Sequence, residues 1–412
     1  MRFNATAAVL SFLFVNIAFP LRSAHPEPRT DARAIPTQEE RRHDPFLEHR
    51  AVRNDWETLF ASARKQRDQK NFSQATRTLE SLLERNPPEP WQKKVLLEMA
   101  DTAEDENDLA RAQQILAQYA RLFPNDEGIP ALLLHQGLLY RKIGVPTLAL
   151  AKFYSVMTTS LGVQNGGLEQ YQGLVLLAQT EIAETYYQQG KYSEAAGFFK
   201  RLLKLDSAAL NREDIQYKLT RSLAAITNAA ETIAHGEIFL DRFPQSTHCP
   251  EISFLLAKAL KDQGHASESL QQVLQLLKVD LTSTNTAPAN WQYWQQRAGN
   301  EIANRLYEEG DYLNALQVYI SLASVNPALN WKIPVLYQVG LLYERLQQPQ
   351  KAADTYREIL ARQKELGTNA SPGLKTVMDM ARWRSEFLNW QNQAELLNRT
   401  NFFSEQKLRA SR

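Results

Sequence analysis

The chain has almost no cysteine: Cys249 is the single one in 412 residues. One thiol can form neither an internal disulfide nor a cysteine-based zinc site, so neither staples this fold. Glycine and proline are also sparse, at 16 and 18 residues. Ala, Leu, Gln and Glu are abundant instead, a mix that favours helices over strands. Charge of one sign is missing as well. The 47 basic and 46 acidic residues nearly cancel, so the chain lacks the basic excess or stripe of a nucleic-acid binder. Beyond the first twenty residues, no run is long and apolar enough to cross a bilayer.

What is present begins with Arg2 and an uncharged, mostly apolar run from Ala5 to Phe19, broken by Pro20 and followed by Ser23 and Ala24. The run is shorter than the ~20 residues of a spanning helix. It reads as a signal peptide over 1–24 and predicts export to the periplasm or the cell exterior. No cysteine lies near the cleavage region, which excludes an N-terminal lipoprotein. Residues 25–50 carry Pro26, Pro28, Pro36, Pro45 and the charged run Glu39-Glu40-Arg41-Arg42. Without a sustained apolar period they read as a flexible spacer.

The body repeats itself. Ala183, Tyr187, Gly190, Tyr192, Ala195 and Phe199 return 120 residues later as Ala303, Tyr307, Gly310, Tyr312, Ala315 and Tyr319. Phe123-Pro124 returns as Phe243-Pro244, Gly144 as Gly264, and Pro87 with Trp91 as Pro327 with Trp331. Within this period a small or short residue recurs at Ala75, Ala112, Ala149, Ala195, Thr232, Ser269, Ala315 and Ala352, at intervals of 37, 37, 46, 37, 37, 46 and 37 residues. The period predicts three super-repeats, 51–170, 171–290 and 291–410. Each holds three subunits, and the third subunit carries a longer exit loop, near Gly162 to Gly167 and near Thr282 to Ala289.

Each subunit reads as two helices. Leu176, Leu177, Thr180, Ala183 and Tyr187 follow a helical period. Gly190 interrupts it, and a second stripe runs through Ala195, Ala196, Phe199, Leu202 and Leu203. So short a turn forces the two helices antiparallel. One such hairpin cannot bury its own apolar stripe, so neighbours must stack on it.

These residues resemble the tetratricopeptide repeat family. The order small, aromatic, small, aromatic is carried by Gly137, Tyr140, Ala149 and Phe153, and by Ala183, Tyr186, Ala195 and Phe199. Ala303, Tyr312, Ala315, Tyr319 and Pro327 follow it, as do Gly340, Tyr343, Ala352 and Tyr356. The likeness spans roughly 54 to 365 and weakens at 213–244, where Thr232 and Gly236 replace the expected small and aromatic residues. It implies an all-α, right-handed α-solenoid of about nine helical hairpins, with residues 372–398 as a degenerate ninth hairpin or terminal cap. Arg382, Arg384, Glu386 and Asn389 are expected to make that cap polar.

The resemblance further implies that first helices line a concave groove holding protein or peptide segments. Its solvent-facing first-helix positions map to Arg141 and Lys142; Glu184, Tyr187 and Gln188; Tyr217 and Arg221; Lys258 and Lys261; Asn300, Asn304 and Tyr307; and Tyr337, Glu344 and Arg345. Their signs are mixed, so the groove is not expected to draw one charge.

Catalytic motifs are wanting: there is no His-Glu-x-x-His, no Gly-x-Ser-x-Gly and no phosphate-binding loop. Neither enzyme activity, cofactor nor metal is expected. His248-Cys249 lacks the further ligands of a tetrahedral site. The acidic run Asp101, Glu104, Asp105, Glu106, Asp108 lacks the alternation and central glycine of a calcium loop and reads as a solvated face. Trp294 is a candidate contact for a partner or an envelope glycan, and Trp91, Trp291 and Trp331 read as structural. The leading expectation is an exported scaffold. A tetratricopeptide-type envelope assembly factor and a glycan-binding or glycan-processing envelope protein stand as alternatives.

Overall fold

The computed structural model describes residues 45–159, 168–279, 287–365 and 371–410, with side chains over 55–159, 171–279, 287–365 and 371–397. The expected signal peptide, most of the spacer and most of the two long exit loops lie outside these residues. Among the described residues there are helices and no strands. Two compact units, Met1–Trp91 and Gln92–Arg412, divide the chain.

The described part of the first unit is one hairpin, α1 (Pro45–Asp68) and α2 (Phe72–Glu84), leading into α3 (Glu89–Asp105). Ala63, Ala75, Leu79 and Leu82 are fully buried there, and Phe60 meets Trp91 edge to face at 5.7 Å. In the second unit α3 pairs with α4 (Leu109–Leu122), α5 (Ile129–Ile143) with α6 (Pro146–Thr159), and α7 (Leu168–Gln188) with α8 (Tyr192–Leu203). Then α9 (Arg212–Ala225) pairs with α10 (Ala229–Arg242), and α11 (Cys249–Asp262) with α12 (Ala266–Lys278). The last pairs are α13 (Pro288–Glu308) with α14 (Tyr312–Val325), and α15 (Leu329–Arg345) with α16 (Pro349–Ala361). Each second helix packs on the first helix of the next hairpin, from α4 on α5 through α14 on α15, so the second unit is an α-solenoid stack. The boundaries at 170 and 290 fall inside α7 and α13: the 120-residue period is a register in the sequence, not a set of cut points.

A ninth hairpin does not form. Pro372–Ala410 is one helix, α17, packed on α15 and α16. No glycine or proline after Gly373 breaks it.

Every hairpin turns in the same way. One or two residues past the end of each first helix a residue takes a left-handed conformation, at Lys70, Asn107, Gly144, Gly190, Thr227, Gly264, Gly310 and Gln347. These follow the same 37, 37, 46 spacing as the small residues. Half are glycine, which adopts positive φ without strain. Thr227, at φ 56°, is β-branched and does so at a cost. Next comes the N-cap of the second helix. Asp108, Asn228 and Asp311 each accept a hydrogen bond there from the backbone N–H three residues on, at 3.0, 3.3 and 3.3 Å.

The two helices meet at a layer of small residues. All eight repeat-small residues of the second helices, Ala75 to Ala352, are buried. At the matching positions of the first helices Ala63, Ala100, Gly137, Ala183, Thr220, Ala257, Ala303 and Gly340 are also buried. Gly137 lies against the ring of Phe153 and Gly340 against that of Tyr356, so closely that an added Cβ would collide with the ring. In the weakest copy, Gly236 leaves no hole. Ile252, Leu256 and Thr220 come within 3.7 to 3.8 Å of where its Cβ would stand. Phe239, fully buried, supplies the aromatic bulk three residues later.

Two substitutions read this geometry in opposite directions. Gly340→Ala should destabilise by about 1–3 kcal/mol, because the Tyr356 ring must move. Thr227→Gly should stabilise by roughly 0.5–1 kcal/mol, the relief of left-handed strain net of glycine's own entropy cost. Chemical denaturation of the two variants beside the parent measures both. Equal midpoints for all three would contradict the packing and turn assignments.

Candidate functional site

The first helices of the second unit run α3, α5, α7, α9, α11, α13, α15, then α17. The mapped groove residues lie along this row, and most of them already bond to the next helix in it. Lys142 on α5 bonds Glu104 on α3, where His135 Nε2 also meets the carboxylate at 2.7 Å. The His135 bond, with Lys142 beside it, holds the Glu104 carboxyl at a pKa of about 2. Arg141 reaches across to Glu181 on α7 as a charge contact at 2.5 Å.

The pattern continues along the row. Glu184 on α7 accepts from Lys218 on α9 at 2.7 Å and from Gln188 on its own helix at 2.9 Å. Lys218 also meets Asp214 at 2.9 Å. Burial alone would pull the Lys218 pKa down, but the two carboxylates outweigh it and raise it. On α9, the Tyr217 hydroxyl donates to Glu251 on α11 at 2.8 Å, and Arg221 Nε meets the other oxygen at 3.0 Å. From α11 to α13, Lys258 lies 3.6 Å from Glu301, Lys261 bonds Glu309, and Asp262 accepts from Arg305 at 2.9 Å. Arg345 on α15 donates to the Tyr307 hydroxyl on α13 at 3.2 Å. Glu344 accepts from Arg384 on α17 at 2.8 Å and from Tyr356 at 2.6 Å. Asn304 accepts from the Tyr319 hydroxyl, and Asn300 is half-buried on the same helix.

Two mapped positions do not face solvent. Tyr217 and Tyr337 are each only 8% exposed. Tyr217 stacks on His248 at 3.8 Å and belongs to the core with Phe239, Cys249 and Ile252. Tyr337 packs on Tyr356 and accepts at its hydroxyl from Arg384 at 3.1 Å. The Tyr217 ring fills space toward the next hairpin and the Tyr337 ring packs within its own hairpin while its hydroxyl meets α17, demands that a repeat-position count does not register. Tyr187 is half-buried, edge-on to Phe199 and Tyr192, with Arg221 over its ring at 5.8 Å. Gln188, Arg221, Lys258, Asn304 and Arg345 keep exposed surface on the row.

Sequence reading did not assign the partners of the mapped residues, Glu104, Lys218, Glu251, Glu309 and Arg384, nor the pair Asp262 and Arg305. A usable signal existed. Charges of opposite sign stand one hairpin apart on first helices, as in Glu184 and Lys218, 34 residues apart. Glu104, expected on a solvated face, instead turns into the row.

The remaining candidates resolve locally. Cys249 is buried, its Sγ donating to the Phe243 carbonyl, and burial pushes the thiol up to about 11. Trp331 donates to the Leu322 carbonyl at 3.3 Å, and Trp291 packs against the core cluster of Tyr217, Phe239, Cys249 and Ile252. Trp294 packs on Phe254 at 5.6 Å, with the Arg297 guanidinium over both rings. Tyr293 beside it is 53% exposed.

Compared with known proteins, residues 180–213 and 335–364 each match the tetratricopeptide repeat family. The first stretch takes in the α7–α8 hairpin with its Ala183, Ala195 and Phe199. The second takes in α15–α16 with the Gly340–Tyr356 contact. The chain is a tetratricopeptide repeat protein. Repeats of this family act as protein-interaction scaffolds, generally without catalysis. Solved structures similar to it include the C-terminal part of a tetratricopeptide repeat-containing protein from Cytophaga hutchinsonii, 14% identical over 67% of this chain and 99% of that one, with a TM-score of 0.48. Another is a tetratricopeptide repeat protein from Parabacteroides merdae, 14% identical over 70% and 98%, with a TM-score of 0.38. PilW, a widely conserved type IV pilus biogenesis factor, is 17% identical over 54% and 91%, with a TM-score of 0.34. No curated protein matches the chain.

The pairs of this repeat protein's first-helix row should differ in worth according to burial. Lys218 is 19% exposed between two carboxylates, whereas Lys258 is 50% exposed beside one. Lys218→Met should cost roughly 2–4 kcal/mol by leaving Glu184 and Asp214 facing each other. Lys258→Met should cost less than about 0.5 kcal/mol. Urea denaturation at neutral pH compares them, and equal losses would refute the ranking.

Proposed function

We propose that this protein is an exported scaffold that seats an extended peptide segment of another protein along its first-helix row. The observation that carries the reading is the pre-paired row itself. Its charges are held by neighbours, so few side chains need ordering when a ligand arrives. Exposed donors and acceptors remain at Gln188, Arg221, Lys258, Asn304 and Arg345, beside the half-buried rings of Tyr187 and Tyr307. That combination suits a peptide backbone with mixed side chains. A polyanion would have to break pairs already made. Export rests on the apolar run Ala5–Phe19, and no described helix is long and apolar enough to cross a membrane.

Selection of displayed random peptides on the purified chain, alongside a glycan array, tests the binding. Peptides should be recovered in preference to glycans. Arg221→Gln with Arg345→Gln should weaken their capture by about tenfold or more while the far-ultraviolet dichroism stays unchanged. Undiminished capture by that variant would move the binding surface off the row. Glycan retention lost on Trp294→Ala would favour the glycan-binding alternative instead. A phosphatase fused after residue 24 should be active only outside the cytoplasm, and activity confined to the cytoplasm would remove export.

A further inference from the structure

The last described helix has two apolar faces. Leu374, Met378, Ala381 and Leu388 are buried against the preceding hairpin, with Ser385 among them. On the opposite side Met380, Trp383, Phe387 and Trp390 are exposed, the two tryptophans at 61% and 64%. Their rings are already ordered: Trp383 stacks on Phe387 at 5.5 Å and 9°, and Phe387 meets Trp390 at 6.1 Å. A helix packed on one side against a stack ordinarily shows water a polar opposite face. Here the polar residues expected to form that face are displaced to the flanks or engaged inward. Arg384 bonds Glu344 and Tyr337, and Arg382 bonds Asp379 and Gln363.

We infer that this stripe is the seam of a homodimer in which α17 packs antiparallel on α17 of a second copy. The spacing of Met380, Trp383, Phe387, Trp390 and Ala394 alternates three and four residues, the rhythm of a coiled-coil seam. Such a seam is matched by a helix of the same rhythm, and α17 itself offers one. The stripe is also complementary to itself. A two-fold axis between positions 388 and 389 sets Phe387 against the partner's Trp390 and fits the bulky Trp383 to the partner's small Ala394. The flanks oppose no like charges: Glu386 comes beside the partner's Gln393, and Arg384 beside the partner's Gln391. A parallel pairing would instead crowd tryptophan on tryptophan at two levels and leave alanine on alanine at a third. With aromatic side chains burying ~150–250 Å² each, the half-exposed stripe offers on the order of 500–600 Å² per copy. That is the lower edge of specific interfaces, which fits a reversible dimer.

Sedimentation of the full chain from about 1 to 100 μM tests this, across the range where an interface of this size should associate. Mass should rise toward twice the monomer. Trp383→Glu with Trp390→Glu should abolish the rise with helical dichroism intact. Ala394→Trp distinguishes a fitted seam from mere stickiness. It adds apolar surface yet should weaken association by about tenfold or more, because the partner's Trp383 already fills that space. A parent chain that stays monomeric overturns the dimer, as does an Ala394→Trp chain that associates more tightly. Sedimentation with neutral lipid vesicles that is lost in the glutamate variant, from a chain otherwise monomeric, would assign the stripe to a membrane surface and likewise overturn it.

Discussion

Everything in this protein depends on two helices coming close at one layer of small side chains. Ala63 and Ala75 are both fully buried in one hairpin, Gly137 stands against Phe153, and the layer recurs through Gly340 and Tyr356. Small residues let the backbones approach, and the aromatic or branched residue one turn later fills the space beside the contact. A single hairpin built this way still exposes the outer side of each helix. Burial of apolar surface is worth ~25 cal/mol per Å², against ~1–2 kcal/mol per residue for ordering the backbone. The balance becomes favourable only when the next hairpin covers that side, which is why the residues return in register from Ala63 to Ala352.

The layer was legible because it is made of residue types. An alanine or glycine at a fixed interval can be counted, and so can the aromatic beside it. The turn was only half legible. Gly144, Gly190, Gly264 and Gly310 announce a left-handed residue, but Lys70, Asn107, Thr227 and Gln347 adopt the same conformation without that signature. Local sequence does not require positive φ at Thr227; the stacked hairpins on either side impose it. The failed expectations have a related cause. Tyr217 and Tyr337 occupy solvent-facing positions in a generic repeat, yet each is covered by the helices packed around it, Tyr217 by α10 and α11 and Tyr337 by α16 and α17. Whether a side chain is exposed there depends on the neighbour's residues, which a single-repeat pattern does not contain. At the C-terminal end, polar residues were readable, but not which side of α17 they would take. That follows from Leu374, Met378, Ala381 and Leu388 claiming the inner side.

The polar row shows how the same stacking shapes a surface. Each hairpin supplies one member of a pair and its neighbour the other, as with Glu184 and Lys218 or Glu344 and Arg384. Exposed ion pairs contribute little to stability, ~0–1 kcal/mol. Their larger effect is on form. A carboxylate such as Glu251, only 13% exposed, would be costly alone, and its bonds to Tyr217 and Arg221 fix the spacing of α9 and α11. A row whose charges are already satisfied gives an incoming anion or cation little to gain. If the row seats a peptide as proposed, discrimination would fall to the rings and to the donors and acceptors left between the pairs, which favour segments that match their spacing over those that would have to break a pair. The repeat geometry sets that spacing, so under the proposed peptide reading partner choice would be governed by the distance between successive first helices more than by net charge.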